Sequence, residues 1–270
     1  MYTYGDPDDA ITRSLVAGRG ADYPRYWELS EQRVMTIMER HIAAYRERRG
    51  RPQLLALDAG CGEGRLLPWL AARSARLVAV EPDAERLALA RSLVEGTADA
   101  AKVDFCNAAV QDADVGADFD VIVSSHVLQH LHTADVPRVL AAMRARLRPG
   151  GLLLLTTCHS TSDRDYYEEG RLVDGIAELH EVSRARFDAE VYSGGGALLC
   201  RYFPRPVITG LLDELDLSVR EFRVFHLTEA ELRGSGSDCA AWLAFEDRVN
   251  DDEALQRRVG EDMLIVAERR

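Results

Sequence analysis

Short apolar runs alternate with amphipathic stretches along most of the chain. Apolar positions spaced three or four residues apart predict a helix over residues 28–48. Apolar runs bounded by polar or glycine-containing turns predict buried strands. Predicted strands lie at 54–57, 77–80, 103–106, 119–124 and 152–157, with predicted helices at 83–95 and 135–147 among them. This alternation indicates an α/β fold built on a parallel sheet.

The C-terminal part of the chain follows the same alternation less regularly. Residues 160–200 are polar and aromatic and show no clear period. Beyond them the pattern predicts helices over 204–215 and 240–248, and strands over 217–227 and 263–267. We therefore expect the sheet to continue after one irregular inserted segment.

A glycine-rich turn follows the first predicted strand. The segment reads Asp58-Ala59-Gly60-Cys61-Gly62-Glu63-Gly64, and an apolar helix start comes after it. Glycines let the backbone bend sharply and approach a ligand closely, and a helix N-terminus offers free N–H groups. The spacing is G-x-G-x-G, and Arg65 stands where the dinucleotide fingerprint G-x-G-x-x-G requires its third glycine. This difference argues against a nicotinamide-dependent oxidoreductase.

The second predicted strand ends in a carboxylate, Glu81, which lies 21 residues beyond Gly60. In doubly wound folds an acidic residue about 20 residues past the glycine turn binds ribose hydroxyls. A carboxylate suits this task because it can accept hydrogen bonds from both hydroxyls at once.

Taken together, the glycine turn, the spaced Glu81 and the later elements resemble a class I S-adenosylmethionine-dependent methyltransferase. The resemblance implies a Rossmann-like, doubly wound sheet of seven strands whose last strand is antiparallel. It also implies S-adenosyl-L-methionine as the cofactor. We expect residues 1–48 to form an N-terminal helical lid and residues 49–270 the methyltransferase domain. Within that domain, residues 160–203 are expected to be an insertion after strand five that builds the acceptor pocket.

The resemblance also implies which residues contact the cofactor. The turn from Asp58 to Gly64 would hold the methionine part, and Glu81 would bind the ribose. Asn107 stands where many members carry an aspartate that reads the adenine amino group, and Asp112 is an alternative for that contact. The full set of expected cofactor contacts is Tyr23, Tyr26, Asp58, Gly60, Cys61, Gly62, Glu81, Pro82, Asn107, Ala108 and Ser124.

Two histidines are candidate catalytic bases, because each follows a predicted strand directly. Ligands of open α/β sheets bind beyond the carboxyl ends of the strands, where His126 and His159 are expected. Imidazole titrates near neutral pH and can take a proton from a hydroxyl or amine. His126 and His130 could share a helix face, but no clustered third ligand accompanies them, so we expect no metal.

Charge and composition narrow the acceptor. The net charge is −12, which disfavours nucleic acid, and no apolar run approaches the length of a membrane span. The Asp/Asn-Pro-Pro-aromatic motif of enzymes that methylate adenine or glutamine amides is absent after the fourth strand. We therefore expect methyl transfer to an O or N atom of a small molecule, such as a secondary metabolite. Scattered single cysteines indicate free thiols in a reducing cytoplasm.

One alternative keeps the cofactor site without methyl transfer. A protein of this fold could bind S-adenosylmethionine as a cyclase or as a regulatory binder. The sequence does not distinguish these from an enzyme, and nothing in it indicates the oligomeric state.

Overall fold

The computed structural model describes residues 7–193, 196–236 and 238–270. The strands are β1 (Leu54–Ala59), β2 (Ser74–Val80), β3 (Val103–Cys106), β4 (Phe119–Ser125), β5 (Leu147–Cys158), β6 (Tyr166–Val173), β7 (Ile176–Glu181), β8 (Leu198–Tyr202), β9 (Leu217–Phe225) and β10 (Asp262–Arg269). The α-helices are α1 (Pro7–Gly18), α2 (Tyr23–Arg49), α3 (Leu67–Ala71), α4 (Ala84–Val94), α5 (Val136–Arg146), α6 (Arg184–Glu190), α7 (Arg205–Glu214), α8 (Glu229–Leu232), α9 (Cys239–Asn250) and α10 (Glu253–Gln256).

Seven strands form one sheet in the order β3-β2-β1-β4-β5-β10-β9. The neighbouring pairs from β3 to β5 are parallel, whereas β10 is antiparallel to both β5 and β9. The predicted seven-stranded, doubly wound sheet with an antiparallel last strand is thereby confirmed. No helix within the described ranges is both long enough and apolar enough to cross a bilayer.

The antiparallel insertion of β10 determines what meets at the carboxyl edge of the sheet. Asp262, the first residue of β10, pairs with Cys158 at the end of β5 and with Phe225 at the end of β9. Residues that follow β4, β5 and β9 therefore lie beside the start of β10. Segments far apart in sequence are brought to one place by this strand order.

Helix α2 is part of the core as well as a cover. It begins at Tyr23, five residues before the predicted start at residue 28, and Pro24 occupies its first turn, where a missing N–H costs nothing. One stripe of α2 packs against the sheet through Val34, Met38 and Ile42. Burying each such side chain contributes roughly 1.5–3 kcal/mol.

The segment predicted to be irregular forms a small second sheet. Strands β7, β6 and β8 pair antiparallel, in that order, and α6 packs against β6 and β8. Helix α1 lies across β6 and β7. The sequence pattern did not predict this sheet, because β7 leaves most of its side chains in solvent and so lacks a buried apolar face. The small sheet is joined to the main one where Phe203 donates its N–H to the Cys158 carbonyl at 3.1 Å.

Candidate active site

A cavity of about 750 Å³ lies between the carboxyl edge of the main sheet, helix α1 and the small sheet. Its walls divide into two halves along that edge. The loops after β1 and β2 form one half, which we call the glycine-turn half. The ends of β4, β5 and β9 and the start of β10 form the other half, which we call the far half.

The glycine turn is held tightly against the loop that follows β4. Gly60 has φ +85°, and a Cβ placed on it would lie 2.4 Å from Cγ2 of Val127. The N–H groups of Gly60 and Cys61 both donate to the Val80 carbonyl, at 2.9 and 3.0 Å. This turn therefore fits only a glycine at position 60, and its backbone faces the cavity.

Glu81 shapes the same turn from the end of β2. Its two carboxylate oxygens accept from the N–H groups of Gly62 and Asp83, each at 3.0 Å. The side chain is buried and lines the cavity, and burial raises the pKa of its carboxyl group. Glu81 thus joins the glycine turn to the start of α4, and it retains lone pairs for a ligand.

Asp58 is a buried carboxylate with an unsatisfied oxygen. Its side chain is 2% exposed and lines the cavity, and Oδ2 has no hydrogen-bond partner among the described residues. Burial, aided by the nearby Glu81, raises the pKa of Asp58 to about 7. A buried carboxylate without a partner is costly, so this position suits a ligand that carries a positive charge.

The structure places several of the expected cofactor contacts in the cavity wall. The residues of this set that line the cavity are Asp58, Gly60, Cys61, Gly62, Glu81 and Pro82. Burial raises the pKa of the Cys61 thiol well above its usual range, so the thiol is neutral. In this half, Cys61 can contribute its backbone and an uncharged side chain.

The two N-terminal tyrosines do not face the cavity, contrary to the sequence prediction. Both are fully buried; the Tyr23 hydroxyl donates to the Leu227 carbonyl at 2.8 Å, and the Tyr26 hydroxyl donates to Glu246 at 2.6 Å. They fix α2 to the core. Trp27, the next residue on the helix, lies on a different face of α2 and lines the cavity.

Three more expected contacts lie outside the part of the cavity wall that the structure describes. The Asn107 amide folds back and donates to the carbonyls of Glu81 and Pro82, at 2.9 and 3.0 Å. Ala108 is not among the lining residues, and Asp112 is exposed. Ser124 points into the core, because alternation along β4 turns the next residue, Ser125, toward the cavity instead. In this region, Ala109, Val110 and Gln111 line the wall.

His126 lies in the far half, as predicted, but on a turn and not on a helix. It follows β4 with φ +53°, and a short 3₁₀ helix begins two residues later. Its N–H donates to the Thr156 carbonyl at 2.9 Å, and its side chain is about 30% exposed. The Gln129 amide donates to Nδ1 at 3.0 Å, so Nδ1 carries the lone pair of the neutral ring.

Asp262 and His226 accompany His126, although no local sequence pattern marks either residue. Asp262 Oδ1 lies 3.8 Å from His126 Nδ1, and Asp262 Oδ2 accepts from His226 Nδ1 at 2.8 Å. Burial lowers the pKa of His126. Burial alone would raise the pKa of Asp262, but the two histidines hold it below its usual value. His226 also stacks on Trp27, with ring centroids 3.4 Å apart.

His159 does not reach the cavity, which corrects the second base prediction. It is 2% exposed, its Nδ1 hydrogen-bonds the Gly260 carbonyl at 3.1 Å, and its ring packs edge-on against Phe222. The residue continues β5 past the carboxyl edge, where β10 and the segment before it cover the side chain. Burial lowers the pKa of His159, which favours a neutral structural imidazole.

One potential metal-ligand set occurs in the part of the chain that the structure describes. His126, Cys158 and Asp262 each offer a ligand atom, and these atoms lie within 4.8 Å of one another. All three side chains line the far half of the cavity. A hydrogen bond with Cys200 and burial keep the pKa of the Cys158 thiol well above its usual value, so the thiol is protonated when no ion is bound.

Several carboxylates line the cavity outside the glycine-turn half. They are Glu28, Glu31, Glu168, Glu261 and Asp262. The arginines nearby are already paired: Arg65 binds Glu31 at 2.6 Å, and Arg19 binds Glu261. Apolar side chains cover much of the remaining surface, including Leu15, Val16, Leu179 and Leu198. The cavity outside the glycine-turn half therefore suits a molecule with an apolar body and no negative charge.

Comparison with known proteins finds a family match that includes the glycine turn and the end of β4. Residues 56–151 match the family described as "Methyltransferase domain". A ubiquinone biosynthesis O-methyltransferase of Nitrobacter winogradskyi is 34% identical over 104 residues, which are 38% of this chain and 38% of that protein. The matched stretch thus spans about two fifths of the length of the curated relatives.

Solved structures resemble nearly the whole chain. A 1,6-didemethyltoxoflavin-N1-methyltransferase of Burkholderia thailandensis is 18% identical with a TM-score of 0.51, covering 100% of this chain and 92% of its own. Magnesium protoporphyrin IX methyltransferase of Synechocystis is 16% identical with a TM-score of 0.54, covering 97% of this chain and 93% of its own. At these identities the likeness shows a shared fold.

Proposed function

We propose that this chain, whose residues 56–151 form a methyltransferase domain of the class I fold, transfers a methyl group from S-adenosylmethionine to an O or N atom of a small molecule. The observation that carries the proposal is that both halves belong to one cavity. Its glycine-turn half holds Asp58 and Glu81, and its far half holds His126 and Asp262. Cofactor and acceptor can therefore meet inside one cavity.

The residues of the glycine-turn half fit the cofactor. The unsatisfied Oδ2 of Asp58 suits the ammonium group of the methionine part, and Glu81 suits the two ribose hydroxyls. Pro82 lines the cavity next to Glu81, where an adenine ring would lie. When bound, S-adenosylmethionine supplies a methyl group that its sulfonium makes electrophilic without a metal.

His126 is the group that we propose takes the acceptor's proton. Its lowered pKa leaves the ring neutral at pH 7, so Nδ1 can accept a proton. Asp262 Oδ1, 3.8 Å away, would then stabilise the imidazolium. The apolar, carboxylate-rich wall around His126 favours neutral or cationic acceptors over carboxylates, because a buried like charge is strongly disfavoured.

We expect methyl transfer to a phenol or amine in metal-free buffer, with His126→Gln lowering kcat about 100-fold or more. S-adenosylhomocysteine release is measured with catechol, tyramine and 3,4-dihydroxybenzoate, which differ in charge. Catechol and tyramine should both have a kcat/KM at least about 10-fold higher than 3,4-dihydroxybenzoate. The negative charge of 3,4-dihydroxybenzoate would be repelled by the carboxylates that line the cavity. The matched control is His180→Gln, an exposed histidine on β7. A higher kcat/KM for 3,4-dihydroxybenzoate would contradict the acceptor assignment. A protein that binds NAD tightly but does not bind S-adenosylhomocysteine would contradict the proposed methyl transfer.

Affinity for S-adenosylhomocysteine should rise about eightfold between pH 6 and pH 7.5. The ammonium group of the ligand pairs with ionised Asp58, whose pKa of about 7 in the free protein must fall on binding. Affinity is therefore lost as the pH falls below 7 and levels off above it. Isothermal titration calorimetry at several pH values measures the change. Asp58→Asn should bind more weakly with a flat profile; a sloped profile in that variant would show that another group is responsible.

A further inference from the structure

Three strand ends bring a nitrogen, a sulfur and an oxygen ligand to one point of the far half. His126 follows β4, Cys158 ends β5 and Asp262 begins β10, and their ligand atoms lie within 4.8 Å of one another. From this geometry we infer that His126, Cys158 and Asp262 form an open three-ligand site for Zn²⁺ or a similar borderline divalent ion. The inference does not rest on the proposed methyl transfer.

The spacing of the ligand atoms suits a tetrahedral ion. Zinc binds imidazole nitrogen and carboxylate oxygen at about 2.0–2.2 Å and thiolate sulfur at about 2.3 Å, which places neighbouring ligand atoms roughly 3.3–3.8 Å apart. His126 Nδ1 and Asp262 Oδ1 are 3.8 Å apart already. Small side-chain rotations can close the remaining distances without moving a strand. The ion would displace the Gln129 amide from Nδ1 and the proton from the thiol.

A supporting residue holds Asp262 in place. His226 is 2% exposed and donates from Nδ1 to Asp262 Oδ2 at 2.8 Å, which leaves Oδ1 on the side of His126. Metal-binding carboxylates and histidines commonly have such hydrogen-bonded partners, which orient them. His226 is therefore a positioning residue for this site.

Two residues of this cluster adopt an unusual backbone conformation. His126 and His226 both adopt left-handed backbone, with φ of +53° and +54°. Non-glycine residues in this region carry a conformational cost and cluster at functional sites. Here the two strained residues turn their imidazoles toward opposite oxygens of one carboxylate.

The fourth position of a tetrahedral ion would be open to the cavity, because all three ligands lie in its wall. Three protein ligands with one open position are typical of reactive zinc sites, whereas structural sites are closed by four. Metal and proton would compete for the same lone pair on His126 Nδ1. Zn²⁺ should therefore inhibit methyl transfer that uses His126 as the base.

Co²⁺ titration of the full-length, chelator-treated protein tests the site without any acceptor. Binding should produce the intense visible bands of tetrahedral Co²⁺ and a near-ultraviolet thiolate charge-transfer band, both reversed by Zn²⁺. Cys158→Ser should abolish the charge-transfer band and lower the affinity for Zn²⁺ at least about 100-fold. His226→Gln should lower the affinity for Zn²⁺ about 10–100-fold and retain the charge-transfer band, as expected for a residue that orients a ligand.

Two matched thiol variants test the assignment of the ligands. Cys239→Ser, whose thiol is not among the lining residues, and Cys200→Ser, beside Cys158, should both retain the Co²⁺ spectrum. Each variant should bind S-adenosylhomocysteine within about twofold of the wild type, which shows that it is folded. A wild-type protein without a Co²⁺ spectrum, or a spectrum lost only in Cys200→Ser, would overturn the site. Failure of S-adenosylhomocysteine to bind the wild type would count against the proposed function and leave the metal result intact.

Discussion

Replacing Glu81 by Gln should lower the affinity for S-adenosylhomocysteine about 100-fold, although the two side chains have the same shape. Both carboxylate oxygens accept from backbone N–H groups, those of Gly62 and Asp83. An amide has only one oxygen, so its NH₂ group must face one of these donors. The variant loses a charged acceptor for the ribose and distorts the glycine turn as well. Charge-assisted hydrogen bonds contribute about 1.5–3 kcal/mol each, and 1.4 kcal/mol is a factor of ten.

Calorimetric titration with S-adenosylhomocysteine measures this loss, and thermal unfolding reports whether the variant is folded. Glu85→Gln is the matched control, because it removes one negative charge from an exposed position in the first turn of α4. It should change the affinity by less than about twofold. If Glu81→Gln binds as tightly as the wild type, Glu81 does not bind the ribose and the assignment of the glycine-turn half is wrong.

The glycine-turn half was largely predictable because its signals are local in sequence. Asp58, Gly60 and Gly62 lie within one strand-turn-helix unit, and Glu81 ends the next strand. Parallel neighbours in a doubly wound sheet place these ends side by side, so spacing alone predicts their proximity. The pairing of β1 with β2 brings Ala59 opposite Val80 and thus the turn beside Glu81.

The far half could not be predicted from spacing, because its residues meet only through the strand order. His126 and Asp262 are neighbours since β10 inserts antiparallel between β5 and β9. His226 was missed for the same reason: it follows β9 by one residue and lies beside Asp262 only through the β9–β10 register. His159 follows a strand just as His126 does. Its side chain is nevertheless buried, because the segment before β10 packs over it.

Side-chain direction explains most of the remaining errors. A one-residue step along β4 exchanges the buried Ser124 for the cavity-lining Ser125. One residue along α2 separates the buried Tyr26 from Trp27 in the cavity wall. The sequence pattern located both segments, but the face that α2 presents depends on its packing against α9 and the sheet.

Replacing Gly60 by Ala should abolish measurable S-adenosylhomocysteine binding, a loss of more than about 100-fold. The residue has φ +85°, and its new Cβ would lie 2.4 Å from Cγ2 of Val127. Left-handed backbone costs a non-glycine residue roughly 1–3 kcal/mol, and the clash adds to this cost. The turn must shift away from Val127. This shift moves the Gly62 N–H group out of its hydrogen bond with the Glu81 carboxylate. Calorimetry and thermal unfolding together measure the effect.

Two further variants separate the clash from the backbone strain. Gly96 also has positive φ (+75°) but open space around its Cβ position, so Gly96→Ala should lose about 1–2 kcal/mol of stability and keep S-adenosylhomocysteine affinity. Combining Gly60→Ala with Val127→Ala removes the methyl group at 2.4 Å and should restore at least about tenfold of the lost affinity. If the double variant binds no better than Gly60→Ala alone, the backbone conformation of the turn, and not its contact with the loop after β4, controls binding. Restoration would instead show that this contact couples the cofactor side of the cavity to the segment that carries His126.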